Sequence, residues 1–414
     1  PRSSAPTPKV LRGAEAIVRG VRRDGDRALV RYTARFDGVG LTPGRLRVKP
    51  REIRTLAAAA DRQVVAALRQ MARRIEEYHR HQLEKGFRLE RADGSVLEEI
   101  VRPLGSAGLY VPGGAGAYPS SVLMSAIPAR VAGVGRLVVV TPPRTLENTP
   151  AVAAALEIAG VQKDVFRVGG AQAVAALAYG TKTVPAVDRI VGPGNAWVTA
   201  AKRLVRGQVE IDSEAGPSEV AILADDSADA GLVAADLLAQ AEHGSGDEVV
   251  VLVTTSRDLA EEVERLVAEG VASVANAPAA RRALKRNGAV ILVKSLEDGL
   301  AAVNTIAAEH VEVLTRRADR VARDVVGAAV FVGPWSPVAV GDYGVGPNHI
   351  LPTGGGARFS SPLSVRDFQR RQSVVRMTEA GLARVTEDVV RVALAEGFQG
   401  HAQSVLTRFE DSRG

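Results

Sequence analysis

The sequence predicts an α/β protein built from two parallel-sheet units, with a helical segment before them and a C-terminal tail after them. Three observations predict it. A chain of 414 residues is too long for one ordinary core, so more than one unit is expected. From residue 96 to residue 332, apolar runs of strand length alternate with helical patterns every roughly 20 to 30 residues, which is the mark of βαβ crossovers. Glycine-rich segments at 113–119 and 192–195 stand where a strand ends and a helix begins.

Taken in order, residues 12–36 and 50–85 carry apolar side chains at helical spacing, such as Leu56, Val64, Leu68, Met71 and Ile75. His79 and His81 are two apart, face different ways on a helix, and read as solvated surface. Strands are expected at 96–101, 108–112, 136–141, 164–168 and 189–191, with helices from 120, over 149–159, over 171–178 and over 196–204. Residues 211–217 form a turn-rich seam. A second alternating run follows: strands at 219–223, 248–254, 289–293, 311–314 and 328–332, and helices at 227–243, 257–268 and 296–308. Residues 341–362 are rich in Gly, Pro and polar groups and too long for a simple connection, so they read as a functional loop. A helix near 377–396 and a polar tail close the chain. The units are expected to join near 110 and 218. Residues 1–110 with 219–362 would form a larger discontinuous unit, 111–218 a second, and 363–414 the tail.

Composition excludes several classes. Hydrophobic content of 46% and charged content of 24% are ordinary for a globular protein. Aromatics are only 4%, against a base-stacking surface. The net charge of +6 is spread through the chain without a block of like charges, which suits anionic ligands and not a nucleic-acid stripe. Without cysteine, disulfides, thiolate nucleophiles and Cys-ligated metals are excluded. No apolar run approaches the ~20 residues of a membrane span, and residues 1–20 lack a signal-peptide core. A soluble cytoplasmic enzyme with no membrane or nucleic-acid partner is expected. The chain begins at Pro1 and not Met, which suits a trimmed start.

Chemistry concentrates at the remaining histidines. Gln240 and His243 are three apart near a helix end, hence surface neighbours, and an amide oxygen and a neutral imidazole both ligate divalent cations. A histidine there also complements the helix dipole and bonds a free carbonyl. Gly244 stands where a left-handed helix cap is expected. With Asp342 and His401 they would complete a four-ligand nitrogen and oxygen set, although spacing leaves their convergence open. Glu309 and His310 are adjacent and would diverge by about 100° on a regular helix, but at a helix-to-strand bend both reach one cleft as an acid–base pair. The plain alternative is a capping His and a solvated Glu. The glycine segments do not spell a full Gly-x-Gly-x-x-Gly, yet their placement favours a dinucleotide at strand carboxyl ends.

Seven segments then resemble one family, histidinol dehydrogenase, over nearly the whole chain. They are Gly108-Leu-Tyr-Val-Pro-Gly-Gly114, Gly170-Ala-Gln172, Val191-Gly-Pro-Gly-Asn195, Ala215-Gly-Pro-Ser-Glu219, Gln240-Ala-Glu-His243, Ala308-Glu-His310 and Asn348-His-Ile-Leu-Pro-Thr353. The resemblance implies a pair of Rossmann-like, aldehyde-dehydrogenase-like domains. It implies oxidation of L-histidinol through bound L-histidinal to L-histidine, the last steps of histidine biosynthesis, with two NAD and one zinc per subunit. It implies zinc held by Gln240, His243, Asp342 and His401, orienting the substrate's imidazole and amine. It also implies His310 as general base, Glu309 activating water, and substrate contacts from Ser218, His349 and Glu396. NAD contacts would come from Tyr110, Gln172 and Asn195. A homodimer is implied in which the tail, with Glu396 and His401, serves the other subunit's site. Competing readings are a paralogue acting on another amino alcohol or a sulfonated propanediol, and a nucleotide-binding regulator without catalysis. The presence of His349 and Glu396 speaks against the first, and the intact Glu309, His310 and ligand set against the second.

Overall fold

In the computed structural model, residues 6–113 and 118–410 are described; residues 114–117 of the first glycine segment and 411–414 of the tail lie outside them. The chain divides into two units, one of Pro1–Leu83 with Leu104–Phe368 and one of Glu84–Pro103 with Gln369–Gly414.

The larger unit holds two sheets. The first has the order 47–48, 164–167, 136–141, 106–110, 189–191, 210–211. Every pairing is parallel except that of Arg47–Val48 at the edge, which runs antiparallel to Asp164–Arg167. The chain moves outward from Ser106–Tyr110 on one side and then returns to Arg189–Val191 on its other side. That reversal of strand order leaves a crevice at the carboxyl ends of these two strands. Side chains alternate between the faces: Leu109, Val139 and Val165 pack with Leu123, Ile127 and Leu156, whereas Val138, Val140 and Phe166 pack with Val174, Leu177 and Val198.

The N-terminal helices pack on this first sheet, whereas the sequence reading grouped residues 1–110 with 219–362. Ile17, Val18 and Val21 of Pro8–Asp24 and Leu29 of Asp26–Asp37 enter the core beside Val174 and Leu177. Ile53, Leu68, Met71 and Ile75 enter the one beside Leu123 and Leu156. The reason lies in the helices they cover. Pro119–Ala132 and Gly170–Tyr179 are buried nearly all round, so each needs a further layer outside it.

The second sheet is all parallel, in the order 288–292, 249–254, 219–224, 310–314, 329–332. Val220, Ile222 and Leu252 pack on Leu237 and Ala241, and Leu223, Val253 and Val311 on Val303 and Ala308. The helix Ala277–Asn287 was not legible because its buried positions are all alanines, Ala279, Ala280 and Ala283. The segment 341–362 is not wholly loop: Gly341 and Asp342 belong to the short helix Val338–Tyr343.

The smaller unit is an antiparallel sheet in the order 369–376, 96–103, 87–90, with the helices Glu379–Ala395 and Gln399–Glu410. The expected polar tail beyond 396 is therefore helical. Gly397, at φ +81°, breaks the chain direction between the two helices. No helix among the described residues is long and apolar enough to cross a membrane. The predicted class, α/β with two parallel sheets, stands.

Candidate active site

The helix Leu296–Ile306 ends in Ala307, the one non-glycine among the described residues with positive φ, at +46°. An alanine in that conformation is strained by ~1–2 kcal/mol. The turn reverses the chain so that Glu309 and His310 open the strand His310–Leu314 beside Glu219–Ala224. Both side chains then attach to the backbone of one residue. Glu309 Oε2 accepts from the Glu219 N–H at 3.1 Å, and His310 Nδ1 lies 3.0 Å from the Glu219 carbonyl. A carbonyl only accepts, so Nδ1 carries the proton and Nε2 keeps its lone pair. The divergence of neighbours on a helix does not apply at this bend, and Glu309 and His310 both line a cavity of about 140 Å³ with Ser218, His243, Asp342 and His349.

Burial sets the electrostatics. His310 is 3% exposed and Glu309 6%. Burial holds the His310 imidazolium down to about 4, so the ring is neutral at physiological pH. Burial pushes the Glu309 carboxyl up to about 8, against hydrogen bonds from Glu219 and Ser218 that favour the carboxylate. Two further histidines repeat the His310 arrangement. His243 Nδ1 is 3.2 Å from the Gln240 carbonyl at the end of the helix Ala230–Ala241, and His349 Nδ1 is 3.2 Å from the Asp342 carbonyl. His349 Nε2 meets Ser121 Oγ at 3.3 Å, and burial brings this ring also to about 4.

The plain reading of His243 as a ligand of a free carbonyl is thus correct for Nδ1, and it leaves Nε2 available for a cation. Beside it Gln240 is 2% exposed, and neither amide atom has a hydrogen-bond partner among the described residues. A buried amide left unpaired costs ~1–3 kcal/mol, which a ligand to its oxygen would recover. Asp342 is held above the usual carboxylate range by burial, a cost that a cation would likewise relieve. Among the described residues, no three His, Cys, Asp or Glu side chains stand together as a metal site. Gln240, His243 and Asp342 belong to the larger unit and the fourth expected ligand, His401, to the smaller. There His401 and Glu396 share a groove with Val389, Val392 and Phe398, the His401 and Phe398 rings 5.1 Å apart.

A second cavity of about 760 Å³ lies at the crevice of the first sheet. Tyr110, Gln172 and Asn195 line it, and Tyr118, Pro193, Gly216, Ser218 and His243 line both cavities. The Tyr110 hydroxyl accepts from the Gly170 N–H at 3.0 Å, and burial raises its phenol to about 12. Asn195 Oδ1 caps the helix Ala196–Val205 by accepting from Trp197 and Val198. The N-termini of two ten-residue helices, Gly170–Tyr179 and Ala196–Val205, therefore border the cavity, where oriented N–H groups favour an anion.

The comparisons with known proteins agree. A family profile described as histidinol dehydrogenase matches residues 1–409. The chain belongs to the histidinol dehydrogenase family. It is 44% identical to the histidinol dehydrogenase of Syntrophotalea carbinolica over 99% of this chain and 95% of that one. Against the Bacillus cereus enzyme it is 43% identical over 98% and 94%. The crystal structure of histidinol dehydrogenase from Elizabethkingia anophelis superposes with a TM-score of 0.93 at 32% identity, covering 100% of this chain and 95% of that one. An acetylating aldehyde dehydrogenase from Geobacillus thermoglucosidasius, at TM-score 0.51 and 14% identity over 90% and 98%, shares the fold alone. Each of the seven family segments puts at least one residue on the walls of the two cavities.

Several participants were not legible. His79, read as solvated, is fully buried. Its Nδ1 donates to Ile75 O at 2.8 Å and its Nε2 lies 3.5 Å from Asn348 Nδ2, tying the helix Arg62–Arg80 to the His349 segment. Lys202 Nζ bridges the Gly192 carbonyl and Asp212 Oδ1, each at 2.6 Å, and Asp212 Oδ2 accepts from the Gly192 N–H at 2.7 Å. This buried pair clamps the turn before Asn195, and nothing in the spacing of 202 and 212 announces it. On the helix that carries Gln240, Asp236 meets Glu312, two residues beyond His310. Burial first, and each other's charge second, hold Glu312 above its ordinary range, so the pair retains a proton at neutral pH. A folded-state pKa raised in this way gives stability that is full at acid pH and is lost as pH rises. Glu312→Gln is expected to raise Tm at pH 9 by roughly 1–3 °C and to leave it unchanged at pH 5. Equal shifts at both pH values in a calorimetric scan would contradict the shared proton.

Proposed function

We propose that this chain is a zinc- and NAD-dependent histidinol dehydrogenase that carries L-histidinol through bound L-histidinal to L-histidine, the last steps of histidine biosynthesis. The observation that carries the reading is the buried pair Glu309 and His310, held on one backbone residue and lining a cavity that shares Ser218 and His243 with the larger one. When bound, NAD accepts a hydride at each of two oxidations and one zinc per subunit holds the substrate's imidazole and amine. The chain's own residues supply the proton chemistry. His310 Nε2, neutral and free, takes the proton of the substrate hydroxyl in the first oxidation and that of the aldehyde hydrate in the second. Glu309 as carboxylate takes a proton from the water that adds to the aldehyde carbon. Ser218 and His349 contact the substrate, and Tyr110, Gln172 and Asn195 bind the dinucleotide, its phosphates toward the helix N-termini.

Gln240, His243 and Asp342 fit zinc as an unpaired buried amide, an imidazole with a free Nε2 and a carboxylate whose charge burial disfavours. His401 completes the set, and with Glu396 it serves the site of a second copy in a homodimer. The exposed Val392, Phe398 and Leu406 of the smaller unit support such an association. A cytoplasmic setting suits a cysteine-free chain.

The test is the NADH formed per L-histidinol consumed, before and after chelation and zinc add-back. Two NADH, lost with the metal and restored by zinc, is the expected result. One NADH would remove the water-activating role of Glu309. No NADH from a metal-loaded protein would favour a relative acting on another amino alcohol.

A further inference from the structure

Asp37 is the last residue of the helix Asp26–Asp37, before Gly38 at φ +63°. A carboxylate there faces the negative end of the helix dipole, an unfavourable position. It is also half-buried, and burial holds it above the ordinary carboxylate range. Its Oδ2 is shielded from solvent and has no hydrogen-bond partner among the described residues. Each of these facts lowers stability, and none is offset by a protein contact.

The residue lines the larger cavity, beside Phe36, Tyr110 and Trp197. Among the described lining residues there is no Lys or Arg. The other lining carboxylate, Glu248, is committed, accepting from the N–H groups of Ser245 and Gly246 at 2.7 and 2.8 Å. The one uncommitted acceptor of full charge in this cavity is therefore the Asp37 carboxylate.

Resting on the proposed function, we infer that Asp37 accepts the vicinal hydroxyls of a ribose of the dinucleotide and makes the cavity select NAD over NADP. Two adjacent O–H donors satisfy a carboxylate that the protein leaves unpaired. A 2′-phosphate would place like charge against it with no cation to intervene. Dinucleotide folds commonly give this task to an acidic residue within the nucleotide-binding βαβ unit itself. Here the acid comes from the helical N-terminal segment laid over the first sheet.

The experiment is titration calorimetry of the full-length protein, wild type, Asp37→Asn and Asp37→Ala, with NAD⁺ and with NADP⁺, alongside Tm. The wild type should bind NAD⁺ and reject NADP⁺. Asp37→Asn should weaken NAD⁺ about 10–100-fold, and Asp37→Ala should bring the two affinities together. Both variants should melt no lower than the wild type, since the carboxylate they lose is unpaired. NAD⁺ binding by Asp37→Ala like the wild type's, with NADP⁺ still rejected, would overturn the inference and leave the proposed function intact. A fall in Tm would also overturn it, by showing that the carboxylate supports the fold. A wild type with no affinity for NAD⁺ would overturn the proposed function itself.

Discussion

His310→Asn is expected to lower the rate of both oxidations by about 10²–10⁴-fold, the usual contribution of a positioned general base. The substitution leaves the fold intact on physical grounds. The asparagine amide can still donate to the Glu219 carbonyl that the Nδ1 proton serves at 3.0 Å. What it cannot do is take a proton, because an amide is not basic in this range. The alcohol and the aldehyde hydrate must each lose a hydroxyl proton, so both halves fail together. Supplying L-histidinol and L-histidinal separately and following NADH distinguishes the halves. Normal turnover of supplied L-histidinal by the variant would show that another group is the base.

For Glu309→Gln the two halves should separate. Aldehyde oxidation should fall by about 10²–10⁴-fold and alcohol oxidation by less than about tenfold, since only the former needs an activated water. The pH dependence carries the same information. Burial puts the Glu309 carboxyl at about 8, so its basic form grows as pH rises through that value. His310 sits at about 4 and is in its basic form throughout the neutral range. In the wild type the aldehyde half-reaction should therefore climb between about pH 7 and 9 while the alcohol half stays level. Glu309→Gln should remove the climb. A variant that lost alcohol oxidation alone would reverse the assignment of the two residues.

Much of the fold and of the candidate site is legible in the sequence. Strict alternation of Val and Ile runs with helical patterns gave strands such as Arg136–Thr141 to the residue. The seven family segments led to the cavity walls, because residues that bind ligands cluster at strand ends and turns with distinctive glycines. What stayed hidden were associations with no local period. The layer of N-terminal helices over the first sheet depends on a demand made by other helices, visible only as segments buried all round, such as Gly170–Tyr179. His79 and Lys202 look like ordinary polar residues on helices until the partners that bury them, Asn348 and Asp212, arrive from far along the chain.

The three imidazoles at 243, 310 and 349 all fasten Nδ1 to a main-chain carbonyl, those of Gln240, Glu219 and Asp342. Since every residue type supplies the same carbonyl, mutating those three acceptor positions cannot delete the fastening. Replacing Gln240, Glu219 or Asp342 therefore alters side-chain chemistry while the neighbouring imidazoles keep the same nitrogen protonated. That separates the ligand chemistry of Gln240 and Asp342 from the orientation of the imidazoles their carbonyls hold, and it means that a substitution at Glu219 would leave the proton-handling nitrogen of His310 in register.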